Sequence, residues 1–302
     1  MREPVASTLW TEIILNDAAV TCTLHEAVAE GHSILIVHEL ATPAECAALL
    51  SAACAKAEAV HAGQTSSQNP GKLSTSLALR LEHSTAPMTS PGRVRMPLAC
   101  LGSAAQASCD CLLLRTLDLL EAHAPALDRE LFGETSLAAM LRQSDQPIFS
   151  SSSLAFTHNE PAINLYTAGG SFEPHKDLQT LTLLMPLTDG ECFQGGGTAF
   201  WSRTAADPVA AGLGTISRDV STTAPATTLT PPAGSALLFG GDVTHAGQAV
   251  TAGQRAVFVA SFSRRRAESQ ETGRKDVGEE ELRRLERTML SQIYGASGQP
   301  EP

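Results

Sequence analysis

Residues 162–187 read AINLYTAGGSFEPHKDLQTLTLLMPL. Two short apolar runs, Ala162–Tyr166 and Leu181–Leu187, flank a Gly-Gly turn and a polar stretch. Runs of this length, bounded by glycine and polar residues, read as strands and not as helices. Between them lie His175 and Asp177, two residues apart. In an extended chain, residues i and i+2 project from the same face. An imidazole and a carboxylate at this spacing can therefore converge on one cation.

The same texture continues downstream in Thr198–Trp201, Ser235–Phe239 and Ala256–Phe262, each set off by glycines. Short strands at this spacing predict a sandwich or barrel. Upstream of residue 148 the patterns are mostly helical. Ile34–Leu40 reads as a strand, and Thr42-Pro43-Ala44-Glu45 reads as a helix start. It combines an N-cap, a proline at the first helical position and a capping-box glutamate, which predicts a helix to about Val60. Loops are expected at 61–76 and 84–97, around a strand near Leu77–Leu81. Leu112, Leu113, Leu117 and Leu120 give Cys109–His123 a helical period, and short helices are expected near 126–132 and 135–143. Residues 202–230 form a long Ala/Thr/Ser/Pro insertion, and Gly278–Tyr294 reads as an amphipathic helix after a polar linker. The fold class is thus mainly β with flanking helices (α+β). The chain divides into an N-terminal helical and strand support over 1–147, a β core over 148–263, and a linker and helix over 264–302.

Composition excludes several classes. The chain has 302 residues, 43% of them hydrophobic and 18% charged, enough for a sizeable core and against wholesale disorder. Its formal charge of -11 argues against binding to nucleic-acid phosphates or to an anionic membrane surface. Apolar runs such as Ile34–Val37 are far too short to span a bilayer. Seven cysteines, an odd number in a long chain, fit a reducing, cytoplasmic compartment better than a disulfide framework. Cys109 and Cys111 lack a second pair at zinc-finger spacing and read as small buried helix residues. Neither terminus carries the pattern of a secretory, ER-retention or peroxisomal signal.

The chemistry gathers around the opening stretch. His245 follows Asp177 by 68 residues, in Asp242-Val-Thr-His245-Ala-Gly247. Two histidines and one carboxylate are the facial triad of non-haem Fe(II) oxygenases, which leaves three coordination positions for a bidentate oxoacid and dioxygen. Arg255, ten residues after His245, opens a strand on the face of Val257 and Val259. A guanidinium there can grip the far carboxylate of a dicarboxylic cosubstrate through two parallel hydrogen bonds. A His-x-Asp by itself is weak: nine histidines give about half an accidental hit. The order of features carries more. Gly195-Gly196-Gly197-Thr198-Ala199-Phe200, the Pro232-Ala-Gly234 turn, a buried strand, His245, Val250, Gly253 and Arg255 follow in sequence.

With these residues, 162–262 resembles the catalytic domain of the prolyl 4-hydroxylase-like branch of the 2-oxoglutarate/Fe(II) dioxygenases. The matching residues are Tyr166, Gly169, Gly170, His175, Asp177, Gly196, Gly197, Phe200, Pro232, Gly234, Phe239, His245, Gly247, Val250, Gly253 and Arg255. The resemblance implies a double-stranded β-helix (jelly roll) with His175, Asp177 and His245 holding Fe(II). It implies 2-oxoglutarate anchored on Arg255, dioxygen as reactant and ascorbate to keep the iron reduced. The implied reaction hydroxylates an unactivated C–H bond of a prolyl residue, an amino acid or another small molecule, and releases succinate and carbon dioxide.

Pro186 stands where many relatives carry a tyrosine that helps hold the cosubstrate. This leaves Thr182 or Tyr166 as second donors and weakens the case for a prolyl peptide. Asn164 and Tyr166 alternate on their strand and either reach the cosubstrate or make structural hydrogen bonds. Lys176 points away from its neighbours and reads as solvated. Trp201 and Arg203 begin the insertion and either pack or touch substrate. The remaining histidines (His25, His32, His38, His61, His83, His123 and His158) have no partner at ligand spacing. The loops at 61–76 and 84–97 and the insertion are expected to flank the mouth of the roll as lids. In halogenating relatives a small residue replaces the carboxylate, so Asp177 implies transfer of hydroxyl and not halide. Two other readings stay open. A nucleic-acid demethylase usually has a second arginine six residues after the anchor, where this chain has Ser261. A jelly-roll metal binder, oxygen sensor or cupin needs no turnover.

Overall fold

The structure is a computed structural model that describes residues 7–66, 87–144, 146–202 and 224–265. The first strand, β1 (Trp10–Ile14), and the short helix α1 (Leu24–Ala29) precede β2 (Ser33–Val37). Helix α2 (Pro43–Ser66) starts as its sequence dictates: the Thr42 hydroxyl accepts from the Glu45 N–H, and the Glu45 carboxylate accepts from the Thr42 N–H at 2.8 Å. It runs past Val60, so the loop expected from residue 61 begins later. A hairpin, β3 (Met88–Ser90) and β4 (Arg93–Pro97), is followed by helices α3 (Ser103–His123), α4 (Pro125–Phe132) and α5 (Leu137–Arg142).

Then come β5 (Leu154–Phe156), β6 (Ala162–Tyr166), β7 (Phe172–His175), β8 (Leu181–Pro186), β9 (Phe193–Gly195) and β10 (Thr198–Phe200). The last strands are β11 (Thr227–Leu229), β12 (Ala236–Gly240), β13 (His245–Gly247), β14 (Val250–Gly253) and β15 (Arg255–Arg264). The expected strand near Leu77–Leu81, Arg203 and the helix over 278–294 lie outside the described residues. No helix among the described residues is long and apolar enough to cross a membrane.

The major sheet has the order β1-β2-β12-β8-β15-β6-β4-β3, and the minor sheet β11-β10-β13-β7. The chain alternates between them. β6, β8, β12 and β15 lie in the major sheet, and β7, β10, β11 and β13 fall between them in sequence but in the minor sheet. Strands that hop between two facing antiparallel sheets in this way form a double-stranded β-helix, the jelly roll. The major sheet is buried on both sides. Its outer face, with Ile163, Leu165, Leu183, Met185, Phe258 and Phe262, packs against buried residues of α2 to α5. Its inner face, with Tyr166, Leu184, Leu237, Phe239 and Val257, joins Phe200 of the minor sheet. This explains why the strands read as continuous apolar runs.

Three sequence expectations are corrected. Residues 88–97 are not loop: β4 pairs along β6, extending the major sheet. The alternation Arg93-Val94-Arg95-Met96 conceals a strand, because arginines occupy the positions facing inward. The end of the 202–230 insertion is an edge strand of the minor sheet, since Thr227–Leu229 pairs with β10. Three residues, two of them threonine, carry too little apolar signal to announce it. Cys109 is buried as expected but Cys111 is exposed, because residues two apart on a helix face different ways. β1 and α1 also escaped the sequence reading. Both are short: β1, at the sheet edge, rests on pairing with β2, and α1 starts on a Thr23–Glu26 capping box.

The turn after β6 fixes the β3–β4 hairpin by backbone contact. Thr167 donates its N–H to the Gly92 carbonyl at 2.8 Å, and a Cβ on Gly170 would lie 1.9 Å from the Gly92 oxygen. Gly170→Ala should therefore destabilise the fold by about 2 kcal/mol or more, because backbone and not a side chain must yield. Chemical unfolding of the variant beside wild type checks this; an unchanged midpoint would show that the hairpin is not pinned there.

Candidate metal centre

β7 and β13 are neighbours in the minor sheet, and their register sets His245 directly opposite His175. Their ring centres are 4.3 Å apart. Each imidazole is oriented by its own backbone. His175 Nδ1 lies 2.8 Å from the Glu173 carbonyl, and His245 Nδ1 lies 3.1 Å from the Val243 carbonyl. A carbonyl only accepts, so both rings carry their proton on Nδ1 and turn a lone pair on Nε2 inward. Those Nε2 atoms sit 3.4 Å from Asp177 Oδ1 and 3.6 Å from Asp177 Oδ2, respectively. One ligand atom from each of the three residues lies within 4.8 Å of the others.

Asp177 reaches this position by a turn and not by strand alternation. β7 ends at His175, and Leu178 adopts a φ of 62° just after the carboxylate. The carboxylate is then held in place: the Thr182 hydroxyl donates to Oδ2 at 2.7 Å and lies 3.2 Å from the Ser261 hydroxyl. The Thr157 hydroxyl donates to the Asp177 carbonyl at 3.2 Å. Burial works against the Asp177 anion, but His245, His175 and Thr182 outweigh it and hold the acid below the usual carboxylate range. Burial, opposed by Asp177, pushes the His245 imidazole down to about 4. An ionised carboxylate and a neutral, correctly tautomerised imidazole are the forms that bind a divalent metal. The donor set fits Fe(II).

Arg255, at the start of β15, is 3% exposed. Its Nη2 donates to the Thr198 hydroxyl at 2.8 Å, and its guanidinium carbon lies 5.4 Å from the centre of the Tyr166 ring. Among the described residues no carboxylate lies within ion-pair distance of it. Gly196 makes room for it: a Cβ there, at a φ of 70°, would stand 2.8 Å from the Phe193 ring and 3.3 Å from Arg255 Cδ.

The triad and Arg255 line one cleft of about 390 Å³, counting the space open to solvent. Asn164 and Tyr166 line it too, with Leu184, Val257 and Val259 as an apolar wall. Thr182 lies behind Asp177, where its hydroxyl is engaged. Trp201 donates its backbone N–H to the Thr244 carbonyl at 3.0 Å. Sequence reasoning missed Arg95, Glu160, Phe172 and Thr198 in this lining. Thr198 was visible as the residue after Gly195-Gly196-Gly197; Arg95 was hidden in a segment read as loop, and Glu160 precedes the strand read from Ala162.

Thr182→Val keeps the side-chain shape and removes the donor from Asp177 Oδ2. Its expected effect is about 10- to 100-fold weaker metal affinity with the fold retained, as for other partners of metal ligands. Calorimetric titration with Mn(II) measures it, and unchanged affinity would remove Thr182 from the support of the site.

No protein-family model and no curated protein matches the chain. Solved structures resemble it at low identity. The non-haem alpha-ketoglutarate-dependent epimerase SnoN from nogalamycin biosynthesis is 15% identical, over 76% of this chain and 78% of its own, with a TM-score of 0.43. The viral collagen prolyl hydroxylase vCPH from Paramecium Bursaria Chlorella virus-1 is 13% identical, over 79% and 99%, with a TM-score of 0.41. HygX from Streptomyces hygroscopicus, with nickel, 2-oxoglutarate and hygromycin B bound, is 11% identical, over 83% and 88%, with a TM-score of 0.43. Likeness at this level carries no argument about substrate or single residues, so the functional reading rests on the site itself.

Proposed function

We propose that this protein is an Fe(II)- and 2-oxoglutarate-dependent dioxygenase of the prolyl 4-hydroxylase-like kind, hydroxylating an unactivated C–H bond of a small-molecule or peptide substrate. The observation that carries this reading is Arg255, a buried guanidinium with no carboxylate within ion-pair distance among the described residues, in the cleft that also holds two histidines and an aspartate. A buried cation without a counter-ion is costly, and a dicarboxylate would supply the missing charge. Bound Fe(II) supplies the oxidising chemistry with dioxygen and 2-oxoglutarate, which leaves as succinate and carbon dioxide.

The chain's own residues hold and shape. His175 and His245 offer Nε2 while their Nδ1 protons stay on backbone carbonyls. Arg255 and the Thr198 hydroxyl receive the distal carboxylate of the cosubstrate, with Tyr166 beside them. Leu184, Val257 and Val259 keep the body of the cosubstrate dry, which strengthens the charge contacts around it. A nucleic-acid demethylase finds less support. Six residues past Arg255 stands the buried Ser261, whose N–H donates to Glu160, and the chain is acidic.

The test uses anaerobically prepared, Fe(II)-loaded protein. 2-Oxoglutarate should bind only in the presence of metal, and exposure to air should yield succinate. Mass spectrometry of peptides and amino acids added to the reaction should then reveal +16 products. Stoichiometric metal binding with no 2-oxoglutarate affinity would replace the enzyme by a jelly-roll metal binder.

A further inference from the structure

The inner face of the major sheet carries three arginines around one tyrosine. Arg93 stands opposite Tyr166 and Arg95 opposite Asn164 across β4 and β6. Arg255 stands opposite Tyr166 from the β15 side. Directly opposed residues project to the same face, so all three point toward the side of the sheet that holds the metal triad.

Two of the three have partners or a role. Arg95 is ion-paired with Glu160 at 2.7 Å, and its Nη1 donates to Asn164 Oδ1 at 3.4 Å. Arg255 is the cosubstrate anchor in the reading above. Arg93 is unmatched. Among the described residues no carboxylate lies within ion-pair distance of it, and the exposed Glu173 acts on it only at longer range. Its Nε is buried without a hydrogen-bond partner, and its Nη1 makes only a long bond, 3.4 Å, to the Ser171 carbonyl. Leaving a guanidinium N–H dry and unpaired is unfavourable, and no acid among the described residues is placed against it.

The position of Arg93 says what could pair with it. Its guanidinium carbon lies 4.1 Å from the centre of the Phe172 ring. Phe172 lines the cleft, and its ring centre is 4.4 Å from that of His175. One aromatic ring therefore separates the unmatched cation from a metal ligand. A guanidinium on an aromatic face keeps the N–H groups of its edge free for a planar anion.

We propose that Arg93 is a substrate-recognition residue that receives a carboxylate of the substrate, whose body lies along Phe172 toward the metal triad. The proposal rests on the dioxygenase reading of the cleft and narrows its substrate to molecules with a free carboxylate. An uncharged internal residue of a peptide would leave Arg93 without a partner. Arg93 itself stands behind Phe172 and not in the lining of the cleft, so metal and cosubstrate are not held by it.

The experiment compares wild type with Arg93→Met, each loaded with Zn(II) and saturated with 2-oxoglutarate. Ligand-observed NMR titrations use N-acetyl-leucine and N-acetyl-phenylalanine against their carboxamides, which have the same shape without the charge. Wild type should bind the carboxylates about tenfold tighter than the amides. In Arg93→Met the acid and amide should bind equally, while 2-oxoglutarate affinity is unchanged. Arg93→Gln carries the same test if the methionine variant does not fold. A carboxylate preference that survives in the variants, or is absent from wild type, overturns the proposal. Failure of wild type to bind 2-oxoglutarate would sink the dioxygenase reading instead, and the acid–amide comparison between wild type and variant would still decide Arg93.

Discussion

His175→Ala and His245→Ala should each lose stoichiometric binding of a divalent metal, with affinity reduced by more than about 100-fold. Each change removes one of three donors, and no other His, Cys, Asp or Glu among the described residues joins the cluster to replace it. The two variants differ in their effect on the fold. The His175 side chain is 23% exposed at the rim, so its loss should cost less stability than that of His245. His245 is buried with its ring 4.8 Å from that of Phe239, so His245→Ala also opens a cavity and should lower the melting temperature. Titration with Mn(II), beside thermal unfolding of the metal-free proteins, separates the two effects. Retention of a stoichiometric, tight site in either variant would show that the triad is wrongly composed.

The clustering of His175, Asp177 and His245, and the place of Arg255 in the same cleft, were legible because such combinations are rare and their order is informative. The reason given for His175 and Asp177 was nevertheless incomplete. Strand alternation predicts a common face, but β7 ends at His175 and the turn through Leu178 brings the carboxylate round. β6, β8, β12 and β15 were legible as apolar runs because both faces of the major sheet are covered. β4 was not. Its inward positions carry Arg93 and Arg95, so the apolar signal of a buried strand is cancelled. Glu160, just ahead of β6, was not singled out, because its partners Arg95 and the Ser261 N–H lie far away in sequence. The Thr182–Asp177 contact spans five residues, yet no periodicity marks it, because it depends on a turn conformation that the sequence does not announce.

Arg255→Leu should weaken 2-oxoglutarate binding by roughly 2–5 kcal/mol, about 30-fold to a few thousand-fold in affinity. The guanidinium lies at the edge of the apolar wall, 3% exposed, so a carboxylate reaching it leaves water and needs its full charge-assisted pair. Leucine offers none, and the Thr198 hydroxyl that now accepts from Nη2 is left as a neutral donor. The stability of the metal-free protein should move the other way. An unpaired buried cation opposes folding, and burial already pushes the Arg255 pKa down. Replacing it by an apolar side chain should leave the melting temperature unchanged or raise it. An arginine with a purely structural role would show the reverse pattern, with lower stability and unaltered cosubstrate binding. Thermal shifts distinguish the cases directly. Wild type with Mn(II) should gain stability as 2-oxoglutarate is added, by mass action on the folded state. Arg255→Leu with Mn(II) should show little gain at the same concentrations while still responding to the metal alone. A full 2-oxoglutarate shift in the variant would move the anchor to another residue, and loss of the metal response would place Arg255 in the support of the triad and not in the cosubstrate pocket.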